Sequence, residues 1–232
     1  MRSQMKPEVS IIIPVYNKFE WTKKCIESIW DYSRYYDYEI IVVANGCTDD
    51  TVEWVKSSLH LCLRVFKKPL GYGKAVNAGI KVALGKYFIL LNNDTLILGE
   101  TWIRQLIQPF DDPKVGITGP LMSWSPDVKS QFLIFFCVCI PRWMPSKIGL
   151  LDGKTFKEGY GEDIDYCMRI MKAGYTLMPV PNSPLKQESG TNVGTFPIFH
   201  EAEITVHDKN LVPSWGKIVE RNRKILRDRY LR

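Results

Sequence analysis

The sequence predicts an α/β fold with a mostly parallel central sheet in a Rossmann-like sandwich. Through residues 1–95, apolar runs alternate with helical stretches in the order β-α-β-α-β-α-β. The runs are continuously apolar, as expected of strands that are covered on both faces. Strands separated in this way by helices lie parallel and are joined by right-handed crossovers.

The elements of the first half follow in order. Asn17 and Glu20 are three residues apart and resemble a capping box at the start of the first helix. The second helix is predicted to open at Thr48-Asp-Asp-Thr51, with acidic residues in its first turn. The predicted strands are 9–15, 39–44, 61–66 and 86–91. The first helix should end near Tyr32 and the second before residue 61. The third helix should begin at the Gly71-Tyr-Gly73 turn and end near Leu84.

The second half is less regular. A helix at 161–173 should end at Gly174, following the preference for glycine after a helix. The other predicted features are a helix at 101–110, a strand at 115–120, an apolar run at 132–140, short strands at 175–180 and 198–206, and a loop at 181–197. We expect one domain, with a nucleotide-binding half at 1–95, an acceptor and catalytic half at 96–212, and a basic helix at 213–232, since no composition break marks a linker.

Composition narrows the function classes. The chain has 232 residues, 45% hydrophobic, and its six scattered cysteines match no metal or disulfide pattern. We therefore expect reduced thiols and a cytoplasmic protein. The apolar run at 132–140 is far shorter than the about 20 residues of a spanning helix. No interleaved aromatic and basic surface predicts binding to nucleic acid.

The net charge of +6 is concentrated at the C-terminus, with seven basic residues in 217–232. Such a helix could make a peripheral contact with the inner face of an anionic membrane. The alternative, which we favour, is a solvated helix that packs on the body through its apolar residues.

Asn92, Asn93 and Asp94 follow the apolar run that ends at Leu91. Ligands of open α/β sheets bind beyond the carboxyl ends of the strands, and a carboxylate there is a natural anchor for Mg²⁺ or Mn²⁺ carrying a diphosphate. The alternative is turn chemistry that closes a strand.

A second acidic cluster contains Glu162 and Asp163 just after two glycines. Adjacent carboxylates tend to raise one pKa, so one of the pair could act as a general base. The alternative is simple complementation of the helix dipole. Asp165 and Arg169, four apart, predict a structural ion pair. Of the three histidines, His200 or His207 could add an imidazole to a cation held by Asp94.

Six motifs stand out along the chain: Ser10-Ile-Ile-Ile-Pro-Val-Tyr-Asn17, Ile40-Ile-Val-Val-Ala-Asn-Gly-Cys-Thr-Asp-Asp-Thr51, Gly71-Tyr-Gly-Lys-Ala-Val-Asn-Ala-Gly79, Leu90-Leu-Asn-Asn-Asp-Thr95, Val115-Gly-Ile-Thr-Gly-Pro120 and Gly161-Glu-Asp-Ile-Asp-Tyr-Cys167. They occur in the order seen in family 2 glycosyltransferases, and nearly the whole chain resembles that family. The resemblance implies a GT-A fold and an inverting transferase that uses a nucleotide-diphosphate sugar such as a UDP-sugar.

Site roles follow from the matching positions. Asp94 would bind Mn²⁺ or Mg²⁺, His200 is preferred to His207 as its partner, and Asp163, beside Glu162, matches the catalytic base. Ala44 stands where the family usually has an aspartate, so pyrimidine specificity does not carry over securely. The positions expected around the nucleotide sugar are Pro14, Tyr16, Asn17, Asn45, Asp49, Gly73, Asn77, Asn92 and Asn93.

The resulting hypothesis is metal-assisted transfer of a sugar to a hydroxyl of a glycan, a lipid-linked glycan or a protein, in glycan biosynthesis. Two alternatives stay open. One is a non-catalytic domain that binds a nucleotide sugar or a partner protein. The other is a sugar-nucleotidyltransferase, although 16–20 offers one lysine and no glycine for a triphosphate loop.

Overall fold

A computed structural model describes residues 6–157, 159–180, 196–201 and 214–231, and the backbone of 186–187 and 191–192. His207 and most of the loop at 181–197 lie outside the described residues. The strands are β1 (Val9–Val15), β2 (Tyr38–Asn45), β3 (Leu61–Phe66), β4 (Tyr87–Leu91), β5 (Thr95–Ile97), β6 (Val115–Gly119), β7 (Met122–Ser125), β8 (Ser130–Leu133), β9 (Cys137–Pro141), β10 (Thr176–Pro179), β11 (Lys186–Gln187), β12 (Thr191–Asn192) and β13 (Ile198–His200). The helices are α1 (Phe19–Tyr32), α2 (Thr51–Ser57), α3 (Tyr72–Ile80), α4 (Trp102–Ile107), α5 (Met144–Ile148), α6 (Glu162–Lys172) and α7 (Trp215–Tyr230).

A seven-stranded central sheet has the order β10-β6-β9-β4-β1-β2-β3. Every pairing is parallel except those that β9 makes with β4 and β6. The prediction of an α/β fold around a mostly parallel sheet is therefore confirmed. The four strands of the first half occupy one side of this sheet, and β6, β9 and β10 extend it with residues of the second half.

The core lies on both faces of the sheet, which explains the continuous apolar runs. Ile11 and Ile13 of β1 pack on the face covered by α1, whereas Ile12 between them packs on the face covered by α3. Because successive side chains of a strand point to opposite faces, a strand covered on both sides needs apolar residues at nearly every position, and β1 has one buried polar side chain, Ser10.

A second sheet has the order β11-β12-β13-β5. Its strand β5 begins at Thr95, directly after Asp94, and pairs antiparallel with β13 so that His200 lies opposite Thr95. This strand was not predicted from the sequence, and its pairing brings the late histidine to the end of β4.

The predicted capping box at the start of α1 is wrong. Asn17 and Lys18 both adopt left-handed backbone angles, and the Asn17 side chain accepts a hydrogen bond from the backbone N–H of Thr48 instead. The first N–H group of α1, at Phe19, donates to the carboxylate of Asp49 at 2.9 Å. The cap therefore comes from a residue distant in sequence.

Three predicted helix boundaries also need correction. The helix α2 begins at Thr51, because Asp49 lies before it and accepts the Thr51 N–H group. The predicted helix at 101–110 becomes a 3-10 helix from Gln108 onward, since Pro109 has no N–H group and its ring disfavours an α-helical turn. The helix α3 ends at Ile80 rather than Leu84, where turn hydrogen bonds to Gly79 and Ile80 redirect the chain into β4.

The basic helix α7 packs on the body, as the favoured interpretation predicted. Leu226 is fully buried with Phe156 and Ile164. Arg227 pairs with Asp127 at 2.8 Å. Lys217 and Lys224 are exposed. Among the residues that the structure describes, no helix is both long and apolar enough to cross a membrane.

Candidate active site

The candidate site lies at the carboxyl ends of β4, β1 and β2. Successive strands add in one direction from β1 to β3, and the chain then returns so that β4 pairs with the other side of β1. A parallel sheet opens a crevice where the strand order reverses in this way, and nucleotides bind there in doubly wound folds.

Residues that follow β1 form one wall of this crevice. Pro14 is buried within the strand, and Tyr16 and Asn17 are partly exposed just beyond it. The Asn93 side chain donates to the backbone carbonyl of Asn17 at 3.4 Å and to Thr22 Oγ1 at 2.9 Å. The predicted nucleotide-binding residues of β1 and β4 are thus brought together.

Two other predicted donor-binding side chains support the scaffold. The Asn45 amide oxygen accepts the backbone N–H of Leu70 at 2.7 Å. The Asp49 carboxylate accepts the N–H groups of Phe19 and Thr51. Their part in nucleotide binding stays a prediction, and their observed contacts fix the loops around the crevice.

The start of α3 is held close to the loop that precedes the acidic pair. The Asn77 side chain both donates to and accepts from the Leu151 backbone, at 2.8 and 3.1 Å. A Cβ atom at Gly73 would lie 3.1 Å from the Cα of Gly153. The glycine therefore permits a close backbone approach, which is a structural reason for its presence besides the predicted contact with the donor.

Asp94 and His200 meet at the end of β4. Asp94 Oδ1 and His200 Nε2 are 3.2 Å apart, and both residues are buried. The backbone N–H of Glu201 donates to the Asp94 carbonyl at 3.0 Å, and the ring of Phe136 stacks on the imidazole at 4.4 Å. The backbone pairing and the stacked ring fix the two side chains toward each other.

These two residues fit a divalent cation. Within the described part of the chain, neither Asp94 Oδ1 nor His200 Nε2 has a well-formed hydrogen bond, although both are buried. Buried polar atoms are rarely left unpaired, and a cation bound by both atoms would satisfy them. No third His, Cys, Asp or Glu joins them among the described residues. Mg²⁺-type sites commonly use one or two protein ligands and complete the shell with substrate phosphates and water.

Glu162 and Asp163 form the first turn of α6. Glu162 is buried, and its Oε2 atom has no hydrogen-bond partner among the described residues. Asp163 is half-buried, and its Oδ1 atom accepts the backbone N–H of Ile164 at 2.8 Å. The predicted ion pair behind them is confirmed, because Arg169 contacts Asp165 at 2.9 Å.

Burial raises the pKa of both carboxyl groups of the acidic pair. The pKa of Glu162 is raised further by the neighbouring charge of Asp163, whereas backbone N–H groups partly offset the rise in the pKa of Asp163. Two close carboxylates cannot both ionise easily. The pair therefore keeps a proton to higher pH than isolated carboxyl groups do, and Asp163 is its more accessible member.

Two residues near the site were not singled out from the sequence. Tyr72 is partly buried, its hydroxyl donates to the Phe135 carbonyl at 2.8 Å, and its pKa is raised by desolvation and by the charges of Glu162, Asp163 and Asp94. The charges of both the acidic pair and the Asp94 site therefore act on the hydroxyl group of Tyr72. The only signal in the sequence was its place between two glycines. The other residue is Asn222 of α7, which contacts the turn before Glu162.

The fold is an α/β fold of the GT-A type. A mannosyltransferase from Pyrobaculum calidifontis, solved in complex with GDP-Man and Mn²⁺, superimposes with a TM-score of 0.63 at 19% identity, covering 77% of this chain and 56% of that one. The structure of GalNAc-T7 with UDP, GalNAc and Mn²⁺ gives a TM-score of 0.65 at 14% identity, covering 76% and 43%.

The family follows from the sequence match. Residues 10–157 match the model of glycosyl transferase family 2, and the chain belongs to that family. An uncharacterized glycosyltransferase of Rickettsia bellii is 40% identical over 91 residues, which are 38% of this chain and 13% of that protein. The chain spans between about a tenth and two fifths of the length of such curated relatives, 13% in the Rickettsia bellii protein.

Proposed function

We propose that the chain transfers a sugar from a nucleotide-diphosphate sugar to an acceptor hydroxyl, with inversion at the anomeric carbon. The observation that carries the proposal is the convergence of Asp94 Oδ1 and His200 Nε2, buried and 3.2 Å apart, at the carboxyl edge of the sheet. Such a pair could bind a divalent cation that in turn binds the diphosphate of the donor. The acidic pair of α6 provides the second component of the reaction.

The proposed reaction is a direct displacement. The acceptor oxygen forms a bond to the anomeric carbon, the bond from that carbon to the diphosphate oxygen breaks, and the nucleoside diphosphate leaves. The acceptor proton passes to the Asp163 carboxylate. Since the pKa of Asp163 is raised toward neutral pH by burial, this carboxylate is a stronger base than an exposed aspartate.

Asp94 and His200 would hold Mn²⁺ or Mg²⁺ together with the donor diphosphate. When bound, the cation supplies Lewis-acid stabilisation of the negative charge that grows on the leaving group. Asn92 and Asn93 begin the same turn, and the Asn92 carbonyl accepts the Thr95 hydroxyl at 2.7 Å. That hydrogen bond holds the turn that presents the Asp94 carboxylate.

A second candidate is a non-catalytic domain that binds a nucleotide sugar. The feature in its favour is Ala44, which stands where the family resemblance implies an aspartate near the base. The buried acidic pair favours catalysis, because two carboxyl groups with raised pKa values are costly to keep without a chemical use.

The test is consumption of donor by the purified chain. A panel of UDP- and GDP-sugars would be incubated with Mn²⁺, with and without simple sugar acceptors, and release of nucleoside diphosphate measured. We expect one donor to be consumed, and NMR of the sugar first released should show the inverted anomer. Tight binding of a donor without consumption under any condition would instead indicate the non-catalytic domain. Release of pyrophosphate from a nucleoside triphosphate and a sugar phosphate would indicate a nucleotidyltransferase.

The acceptor side and the membrane contact are further parts of the proposal. We infer that the acceptor, a glycan, a lipid-linked glycan or a protein, approaches the acidic pair from the second half of the chain. The exposed Lys217 and Lys224 of α7 are available for a peripheral contact with anionic lipid. Sedimentation with vesicles containing an anionic lipid tests this contact, and Lys217→Ala with Lys224→Ala should abolish it.

A further inference from the structure

The turn that precedes the acidic pair has an unusual backbone. Gly159, Tyr160 and Gly161 all adopt left-handed angles, with φ of 95°, 63° and 102°. Glycine accepts such angles readily, but tyrosine does not. A left-handed tyrosine persists only when surrounding contacts hold it. Because α6 begins at Glu162, the path of this turn decides where both carboxyl groups point.

The contacts that hold the turn come from α7. Asn222 is fully buried, and its side-chain Nδ2 donates to the carbonyl oxygens of Gly159 at 3.0 Å and Tyr160 at 2.9 Å. Arg223 Nε donates to the Tyr160 hydroxyl at 3.1 Å. A single buried amide thus binds two successive carbonyl groups of the strained turn.

The same helix also contacts the first turn of α6. Arg229 contacts the Asp165 carboxylate at 2.8 Å, and the Tyr230 hydroxyl donates to it at 2.7 Å. Asp165 lies two residues after Asp163 and is almost completely buried. Residues of α7 therefore contact the chain both before the acidic pair, through Asn222, and after it, through Arg229 and Tyr230. Of these residues, Asn222 is the one that contacts the strained backbone.

We propose that Asn222 is a positioning residue for deprotonation of the acceptor: its amide holds the Gly159–Gly161 turn and thereby the Glu162 and Asp163 carboxyl groups in place. The catalytic consequence rests on the function proposed above for Asp163. The stabilisation of the turn by Asn222 does not depend on that function, and it can be measured separately.

The experiment compares variants that remove different anchors of α7. Asn222→Asp keeps the shape of the side chain and removes both N–H donors, and Asn222→Ser removes them without adding a charge if the first variant does not fold. Arg227→Ala is the matched control, because it removes the shorter of the two contacts of α7 with Asp127, the other being made by Arg223, and removes no contact with the turn. Hydrogen exchange of the peptide covering 159–166, donor affinity with Mn²⁺, the rate of donor consumption and the melting temperature would be measured for each.

Loss of both hydrogen bonds should raise exchange in the 159–166 peptide about tenfold or more, as expected for two buried hydrogen bonds of ordinary strength. The kcat of donor consumption should fall by a similar factor, and donor affinity should stay unchanged. The control should lower the melting temperature while changing neither exchange in this peptide nor kcat.

Several results would overturn the inference. Unchanged exchange in the Asn222 variants would show that the amide does not hold the turn. Raised exchange with undiminished kcat, or an equal loss of kcat in Arg227→Ala, would show that the turn does not position the base or that α7 acts only through general stability. If the unaltered chain consumes no donor of the panel, the proposed function fails, and the exchange measurement alone then decides whether Asn222 holds the turn.

Discussion

Replacing Asp163 with asparagine should reduce activity and increase stability. The substitution removes the proposed base but keeps the oxygen that accepts the Ile164 N–H group. General base catalysis typically contributes about 10²–10⁴-fold. At 1.36 kcal/mol for each tenfold change, the barrier to transfer should rise by about 3 to 5 kcal/mol.

The stability gain follows from the acidic pair. The pKa of Glu162 is raised first by burial and then by the charge of Asp163. A carboxyl group whose pKa is higher in the folded than in the unfolded state destabilises the fold as pH rises from the ordinary carboxyl pKa through the raised one. Removing the charge at 163 lowers the pKa of Glu162. At a pH above that range, each pKa unit by which the pKa of Glu162 falls adds about 1.4 kcal/mol to the free energy of unfolding, or roughly 3–6 °C to the melting temperature.

The assay therefore has two readouts and one matched control. Melting temperatures of the unaltered chain should fall from pH 5 to pH 8, and those of Asp163→Asn should fall less, while donor consumption by the variant is almost abolished. Asp165→Asn makes the same chemical change two residues away, where the carboxylate binds Arg229 and Tyr230, and should lower stability by about 1–3 kcal/mol. Lower stability of Asp163→Asn at pH 8, or retained turnover, would refute the reasoning.

Three further predictions concern single side chains. Asp94→Ala should weaken binding of UDP or GDP in the presence of Mn²⁺ and leave binding without metal unchanged, as followed by calorimetry; equal affinity with and without the substitution would argue against a metal site. Asp49→Ala should destabilise the chain by about 0.5–2 kcal/mol in urea, because it removes the cap of α1, and a purely nucleotide-binding role would leave stability unaltered. Tyr230→Phe should cost about 1.5–3 kcal/mol in the same urea measurement, since it removes a hydrogen bond to the buried Asp165 carboxylate, and no change in stability would mean that the arginines satisfy this group alone.

The helix α7 shows where reasoning from sequence stopped short. Its apolar residues predicted that it packs on the body, and Leu226 does so. Its basic residues, however, did not show that Arg227 and Arg229 are used in ion pairs with Asp127, Asp152 and Asp165. Pairs separated by more than sixty positions cannot be found from periodicity, because their partners are defined only by packing.

The sequence by itself determined the order of the elements up to β4, the mostly parallel sheet and the positions of the two acidic motifs. Continuous apolar runs and polar residues at strand ends are local patterns that can be read from neighbouring residues, and the family motifs contain the same patterns. Only the tertiary structure decided the partners of those motifs: the β5–β13 pairing sets His200 beside Asp94, Asp49 caps α1, and Asn222 holds the turn before Asp163. The physical reason is that these contacts join residues far apart in the chain, and their geometry exists only once the strands have paired and the helices have packed.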